Sequence, residues 1–192
     1  ICQTCVMRAV EGTPPAESQQ NLSPALRLRG HFLACVCRPT GDLDVTLPAE
    51  GESTLTAVVR RLQPLNADIL RVDLTLDEPF DYRAGQFLNL FKDETLGRSY
   101  SLASVPGLDE HLELHVRRLP DGRISGWLHD ELRANQTVSV RGPGGHCFYV
   151  PGQPEQPLLL IGTGSGLAPL YGILRDALRL SHTGPIRLFH GS

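Results

Sequence analysis

Lysine occurs once in this 192-residue chain, at Lys92, and methionine and tryptophan once each. Positive charge rests almost wholly on arginine, and acidic residues outnumber it to a formal net charge of -3. So balanced a chain carries no basic footprint for nucleic acid. Long apolar runs are missing too. The longest, Phe32 to Cys37, has the length of a strand, whereas about 18 apolar residues are needed to cross a bilayer as a helix. No basic segment is followed by an apolar one in the manner of a secretory signal. The expectation is a cytoplasmic protein with neither a nucleic-acid nor a membrane partner.

Cysteine is scarce but clustered. Cys2, Cys5, Cys35 and Cys37 lie near the start and Cys147 stands apart. Without a secretory signal, such clustering points to a metal rather than to disulfides. Cys147 is expected to be a small buried apolar residue. The chain opens on Ile1 and ends just after the strand-like Ile186–His190, so both ends are expected to be cuts through a longer protein.

Hydrophobic patterning separates four regions. Residues 1–48 are cysteine-rich with little periodicity, and residues 49–53 read as a linker. From 54 to 153 the signal is period-2 alternation: Leu70, Val72, Leu74 and Leu76 alternate with Arg71, Asp73 and Thr75, and Leu112, Leu114 and Val116 with Glu113, His115 and Arg117. Further short strands are expected near Leu55–Arg61, Gln86–Phe91, Thr137–Arg141 and Cys147–Val150. Six strands parted by Gly and Pro turns predict an antiparallel barrel. One helix interrupts it, with Ser125 as its N-cap and Leu128 and Leu132 on one face.

Residues 154–192 change pattern. Pro157–Ile161 is apolar throughout, as in a strand buried on both faces. A glycine-rich turn and a helical stretch carrying Leu167, Leu170, Leu174, Ala177 and Leu178 on one side follow, then a last strand. This is a β-α-β unit, the opening of a doubly wound α/β domain.

Three motifs could carry chemistry. Gly162-Thr163-Gly164-Ser165-Gly166-Leu167-Ala168-Pro169 lies between a strand and a helix, where glycines let the backbone approach a phosphate and the helix N-terminus favours its charge. It equally suits a tight turn, and Leu167 stands where the Rossmann fingerprint has its third glycine. Arg98-Ser99-Tyr100-Ser101 offers a cationic fork, an aromatic face and two hydroxyls, enough to hold a phosphate and a flat ring. As a bare tetrapeptide it also suits an ordinary strand. Gly122-Arg123-Ile124-Ser125 leads into the helix holding Trp127 and could present free N–H groups to a pyrophosphate, or simply turn the chain. Trp127 reads as core packing.

The order and spacing of these pieces resemble the ferredoxin-NADP reductase superfamily over residues 54–192. Tyr82-Arg83-Ala84-Gly85-Gln86-Phe87 is similar to that family's strand opening before the flavin motif, and Arg98-Ser99-Tyr100-Ser101 to its Arg-x-Tyr-Ser motif. The resemblance implies that Arg98 holds the flavin pyrophosphate, that Tyr100 packs on the flavin, and that Ser101 lies near its reactive nitrogen, with Ser99 between them. It further implies that His115, Val116 and Arg117 line the adjoining strand and that Gly122, Arg123, Ile124 and Ser125 cradle the pyrophosphate, which favours FAD over FMN. Gly142-Pro143-Gly144-Gly145 resembles the turn before the barrel's last strand. Gly162, Thr163, Gly164, Gly166, Ala168 and Pro169 resemble the site for the pyrophosphate of NADH or NADPH.

Residues 1–48 resemble the C-terminal part of a plant-type ferredoxin of the β-grasp fold. Those proteins bind a [2Fe-2S] cluster through C-x4-C-x2-C and a distant cysteine. Cys2, Cys5 and Cys35 match the last three ligands; the first would precede Ile1. Cys37 is supernumerary, and a zinc site of Cys2, Cys5, Cys35 and Cys37 is the rival. The combination resembles reductase components of bacterial oxygenases. It implies a reductase passing electrons from NAD(P)H through FAD to a [2Fe-2S] cluster and on to an acceptor such as an oxygenase component. The alternatives are a free-flavin reductase without electron export and a zinc-stabilised interaction module without enzymatic activity.

Overall fold

Residues alternating about a buried face should form strands, and in a computed structural model of the chain they do. The structure describes residues 5–20, 22, 24–46 and 54–191. Cys2 and the linker at 49–53 lie outside them. The chain forms two compact units, Ile1–Thr54 and Leu55–Ser192.

The first unit contains a three-stranded sheet in which β1 (Val6–Glu11) pairs antiparallel with β2 (His31–Leu33) on one side and β3 (Asp44–Thr46) on the other. A short helix α1 (Pro24–Leu28) precedes β2. Leu22, Phe32 and Leu33 form its buried apolar part, joined by Ser18 and His31. The polar pair is satisfied locally: Ser18 donates to the Pro15 carbonyl at 2.6 Å, and a His31 ring nitrogen lies 3.2 Å from the Leu26 carbonyl.

The second unit is built on a six-stranded sheet. Its strands are β4 (Thr54–Pro64), β5 (Ile69–Leu76), β6 (Phe87–Phe91), β7 (Gly97–Ser101), β8 (Leu112–Arg117) and β9 (Thr137–Gly144), in the order β7-β6-β9-β4-β5-β8. An antiparallel bridge between Leu102, just past β7, and Leu114 of β8 joins the two edges into a barrel, which removes the unpaired edges of an open sheet. Val59, Val72, Leu74, Leu88, Leu90, Leu114, Val116 and Val140 fill the interior. Helix α2 (Arg123–Asp130) adds Ile124 and Leu128 to that core, with Trp127 packed partly against it.

Several local expectations are corrected. Cys147–Val150 is not a strand; the sixth strand is β7. Tyr149 packs instead in a second cluster with Leu160, Leu170, Ile173 and Ala177, which draws its segment off the barrel. Cys147 is exposed rather than buried. Gly142-Pro143-Gly144 is not a turn but the end of β9, where Gly144 lies against the Phe87 ring so closely that a Cβ would come within 2.6 Å of it. Ser125 does not cap α2. Gly122 is the N-cap, and Ser125 lies inside the first turn. Leu132 falls just past the end of α2, still buried.

The remaining elements are β10 (Leu158–Thr163), α3 (Leu167–Arg179) and β11 (Ile186–Gly191), with β10 and β11 parallel. Among the described residues, α3 covers one face of β10. Leu160 is buried beneath α3, whereas Leu159 and Ile161 are 57% and 67% exposed. On α3 the buried stripe includes Ala168, Leu170, Ile173 and Ala177, while Leu178 points to solvent. Among the described residues no helix is long and apolar enough to cross a membrane.

Candidate functional site

Strand β7 carries the Arg-x-Tyr-Ser motif in register with β6: Arg98 faces Leu90, Ser99 faces Asn89, Tyr100 faces Leu88 and Ser101 faces Phe87. The Ser99 hydroxyl donates to the Asn89 side-chain oxygen at 2.6 Å, which satisfies a buried amide and fixes the strand. The Tyr82–Phe87 segment locks the same region from the other side. Tyr82 donates to the Ser104 hydroxyl at 2.8 Å, and Leu102 N–H donates to the Gln86 carbonyl at 2.7 Å. Both groups sit just beyond Ser101, so the C-terminal end of the motif strand is anchored there.

A cleft of about 720 Å³ opens beside β7. It is lined by Arg98, Ser99, Tyr100 and Ser101, by His115 and Arg117 of β8, by Gly122–Ser125, and by Thr163, Gly164, Gly166 and Ala168. Residues from four distant stretches of sequence thus line one space. Val116 departs from the expectation: alternation along β8 turns it into the barrel core, fully buried, while its carbonyl lies 3.0 Å from a His129 ring nitrogen. Gly162 and Pro169 are not on the wall either. A Cβ at Gly162 would come within 2.7 Å of Leu170, so that glycine lets α3 close on β10.

The guanidinium side chains of Arg98, Arg117 and Arg123 share this cleft, and Asp121 is the one acidic residue that lines it among the described residues. Gly122 has no side chain to offer the first-turn N–H groups of α2, which are left for an anion. The Ser125 hydroxyl is engaged in shaping that corner: it accepts from Leu119 N–H at 3.1 Å and donates to the Gly122 carbonyl at 3.3 Å. Gly164, also on the cleft, adopts φ +53° in the left-handed region, which favours glycine. A diphosphate bridging two flat groups fits these donors. Burial pushes the Tyr100 phenol up to about 12, against the pull of the Arg98 charge, so its ring meets the cleft as a neutral aromatic surface.

Leu96, Leu119, Asp121 and Ser165 also line the cleft. Asp121, at φ 57°, sits in the turn before Gly122, and its neighbour glycine was the only hint in sequence. Behind the wall, His115 continues into a buried polar chain. A ring nitrogen of His115 lies 2.7 Å from Glu113, whose other oxygen meets Arg71 at 3.0 Å, and Arg71 in turn binds Asp73 at 2.7 Å.

In the first unit the sulfurs of Cys5 and Cys35 approach to 3.0 Å, and the Ala34 N–H donates to the Cys5 carbonyl at 2.9 Å. Two of the three expected cluster ligands therefore lie side by side. Among the described residues no group of three or more Cys, His, Asp or Glu could hold a metal.

Residues 56–149 match the oxidoreductase FAD-binding domain family. The chain is 39% identical to the reductase subunit of an aromatic O-demethylase from an Amycolatopsis species, over 99% of this chain and 60% of the relative. It is 30% identical to the ferredoxin–NAD(P)+ reductase component of a naphthalene 1,2-dioxygenase system from Pseudomonas putida, over 99% and 59%. Among solved structures it is similar to a cytochrome P450 reductase of Amycolatopsis (TM-score 0.68, 38% identity, 97% of this chain and 60% of that one). A ferredoxin reductase in carbazole 1,9a-dioxygenase is also similar (TM-score 0.71, 28% identity, 100% and 63%). The chain spans about three fifths of the length of these relatives. With a closed barrel that sets the Arg-x-Tyr-Ser strand on a cationic cleft, the chain is similar over nearly all its length to ferredoxin-NADP reductase-type oxidoreductases, and residues 56–149 match their FAD-binding domain.

Proposed function

We propose that the protein passes electrons from NAD(P)H through FAD to a [2Fe-2S] cluster, and from there to an oxygenase component or a similar acceptor. The observation that carries this reading is one cleft lined both by Arg98–Ser101 and by Thr163, Gly164 and Gly166. A bound flavin would accept hydride from the nicotinamide, and this cleft has donors that would hold both groups. Arg98, Arg123 and the α2 N-terminus bind the FAD pyrophosphate, and Tyr100 lays its ring against the flavin. Ser101 hydrogen-bonds near the reactive edge. The Gly164 turn takes the pyrophosphate of the nicotinamide nucleotide. When bound, FAD supplies two-electron acceptance and one-electron release, while the protein contributes position and electrostatics. The Cys5–Cys35 approach supports a cluster held by Cys2, Cys5 and Cys35. The reductase components among the relatives support an oxygenase as the acceptor.

The test is the visible spectrum of the purified full-length protein with flavin and iron quantified. Flavin and cluster bands together are expected. Flavin bands alone would remove the cluster and electron export, leaving a flavin reductase; zinc without flavin would discard the reading.

A further inference from the structure

The cleft works only if its two halves stand at a set distance, and nothing in the motifs themselves sets it. Helix α3 starts at the nucleotide-side wall, with Ala168 in the cleft. Seven residues on, about 10 Å along the axis at 1.5 Å per residue, Arg175 reaches the barrel. Its guanidinium donates to both oxygens of Asp109, at 2.7 and 2.8 Å. Asp109 lies in the loop between β7 and β8 and also accepts from Val105 N–H at 2.7 Å. Such a two-pronged pair fixes orientation as well as distance. Burial opposes ionisation of Asp109, but Arg175 and the Val105 N–H outweigh it and hold the carboxyl below its ordinary value.

Between Ala168 and Arg175, Gly172 rests on the carbonyls of Leu102 and Ala103, where a Cβ would stand 3.1 Å from each oxygen. Those two residues follow Ser101 directly. One turn before Arg175, Tyr171 lies under its guanidinium at 5.0 Å and beside the His115 ring at 6.4 Å. The helix is thus seated on the strand end that carries the flavin motif and clamped one turn further on.

We propose that the Asp109–Arg175 pair, acting through the Gly172 seat, is a positioning device that sets the gap between the nucleotide turn and the Arg98–Ser101 strand. This rests on the reading of the cleft as the meeting place of flavin and nicotinamide. Neither residue lines the cleft, so their loss leaves nucleotide affinity intact and slows transfer. A misplacement of about 1 Å can cost up to about 10²-fold in rate.

The experiment uses the full-length protein with Asp109→Asn, Arg175→Met and the double variant, none of which adds bulk. Single-turnover flavin reduction by NADH should slow by about tenfold or more in each single variant, with the Kd for NADH little changed. The double variant should be no slower than either single one, because both remove the same contact. In flavin-free protein, amide exchange across α3 and Leu102–Val105 should quicken in all three variants. Unchanged reduction rates, a rise in Kd without a rate loss, effects that multiply in the double variant, or unaltered exchange would each overturn the proposal. A wild-type protein that retains no flavin would instead overturn the cleft assignment, and the proposal with it. Normal wild-type flavin content with the other results negative would sink the device alone.

Discussion

Replacing Tyr100 by Ala tests the cleft at its centre. The ring sits on β7 opposite Leu88, packed in part against the barrel core and in part on the cleft wall. Its removal therefore has two separable effects. Truncating a fully buried aromatic costs about 3–5 kcal/mol; this ring is only partly buried, and roughly half of that is expected in stability. Loss of the aromatic face against a flat cofactor costs about 1–3 kcal/mol of affinity, as for bases stacked on aromatic side chains. With a tenfold change per 1.4 kcal/mol, the Kd for FAD should rise by about 5- to 150-fold. Titration of apoprotein by quenching of FAD fluorescence measures the second effect, and urea unfolding of the same samples measures the first. Tyr100→Phe is the control. Its hydroxyl is held neutral by burial, so deleting it removes no charge and the Kd should stay near the wild-type value. A folded Tyr100→Ala protein that binds FAD as tightly as wild type would refute the placement of the ring. If Phe were as damaging as Ala, the hydroxyl and not the face would be the contact.

Cys35→Ser in the full-length protein should abolish the iron-sulfur spectrum and iron content while Cys37→Ser keeps both, since the Cys35 sulfur lies 3.0 Å from that of Cys5; the reverse pattern would reassign the ligand. Arg71→Met should destabilise the barrel by about 2–3 kcal/mol in urea, because Asp73 and Glu113, 0% and 5% exposed, lose their shared counter-charge. That figure is below the about 3–5 kcal/mol of a fully buried pair because Arg71 is partly solvated, and a loss under about 1 kcal/mol would show the carboxylates satisfied elsewhere. Burial lifts the Tyr82 phenol to about 12, with the Ser104 hydrogen bond opposing, and lifts Tyr100 likewise. Since the fold holds both phenols neutral, their contribution is complete below about pH 10 and is lost as pH rises toward 12. An absorbance titration near 295 nm on wild type, Tyr82→Phe and Tyr100→Phe should lose the latest-titrating signal in each variant; identical curves would contradict the burial.

Local pattern alone determined much of this protein. Alternation of apolar and polar residues placed β5 and β8, because a strand half-buried on a barrel can be built no other way. The glycine-bounded change from period 2 to a helical period marked where the β-α-β unit begins. The order of the motifs along the chain pointed to the family before any geometry was known. What the tertiary structure alone decided are the exceptions to local pattern. Asp73 and Glu113 read as solvent-facing from their place in the alternation, yet are buried because Arg71 and His115 close over them. Val116 stood beside two cleft residues in sequence, but the two-residue period of a strand turns it inward. Ser125 has the chemistry of a cap; the Leu119–Gly122 turn takes its hydroxyl instead. Cys147–Val150 has the composition of a strand, and Tyr149 leaves the sheet for the α3 cluster. Asp109 and Arg175 are 66 residues apart, and no periodicity couples side chains across such a span. Their meeting exists only once the barrel has closed and α3 has come to rest on the backbone beyond Ser101.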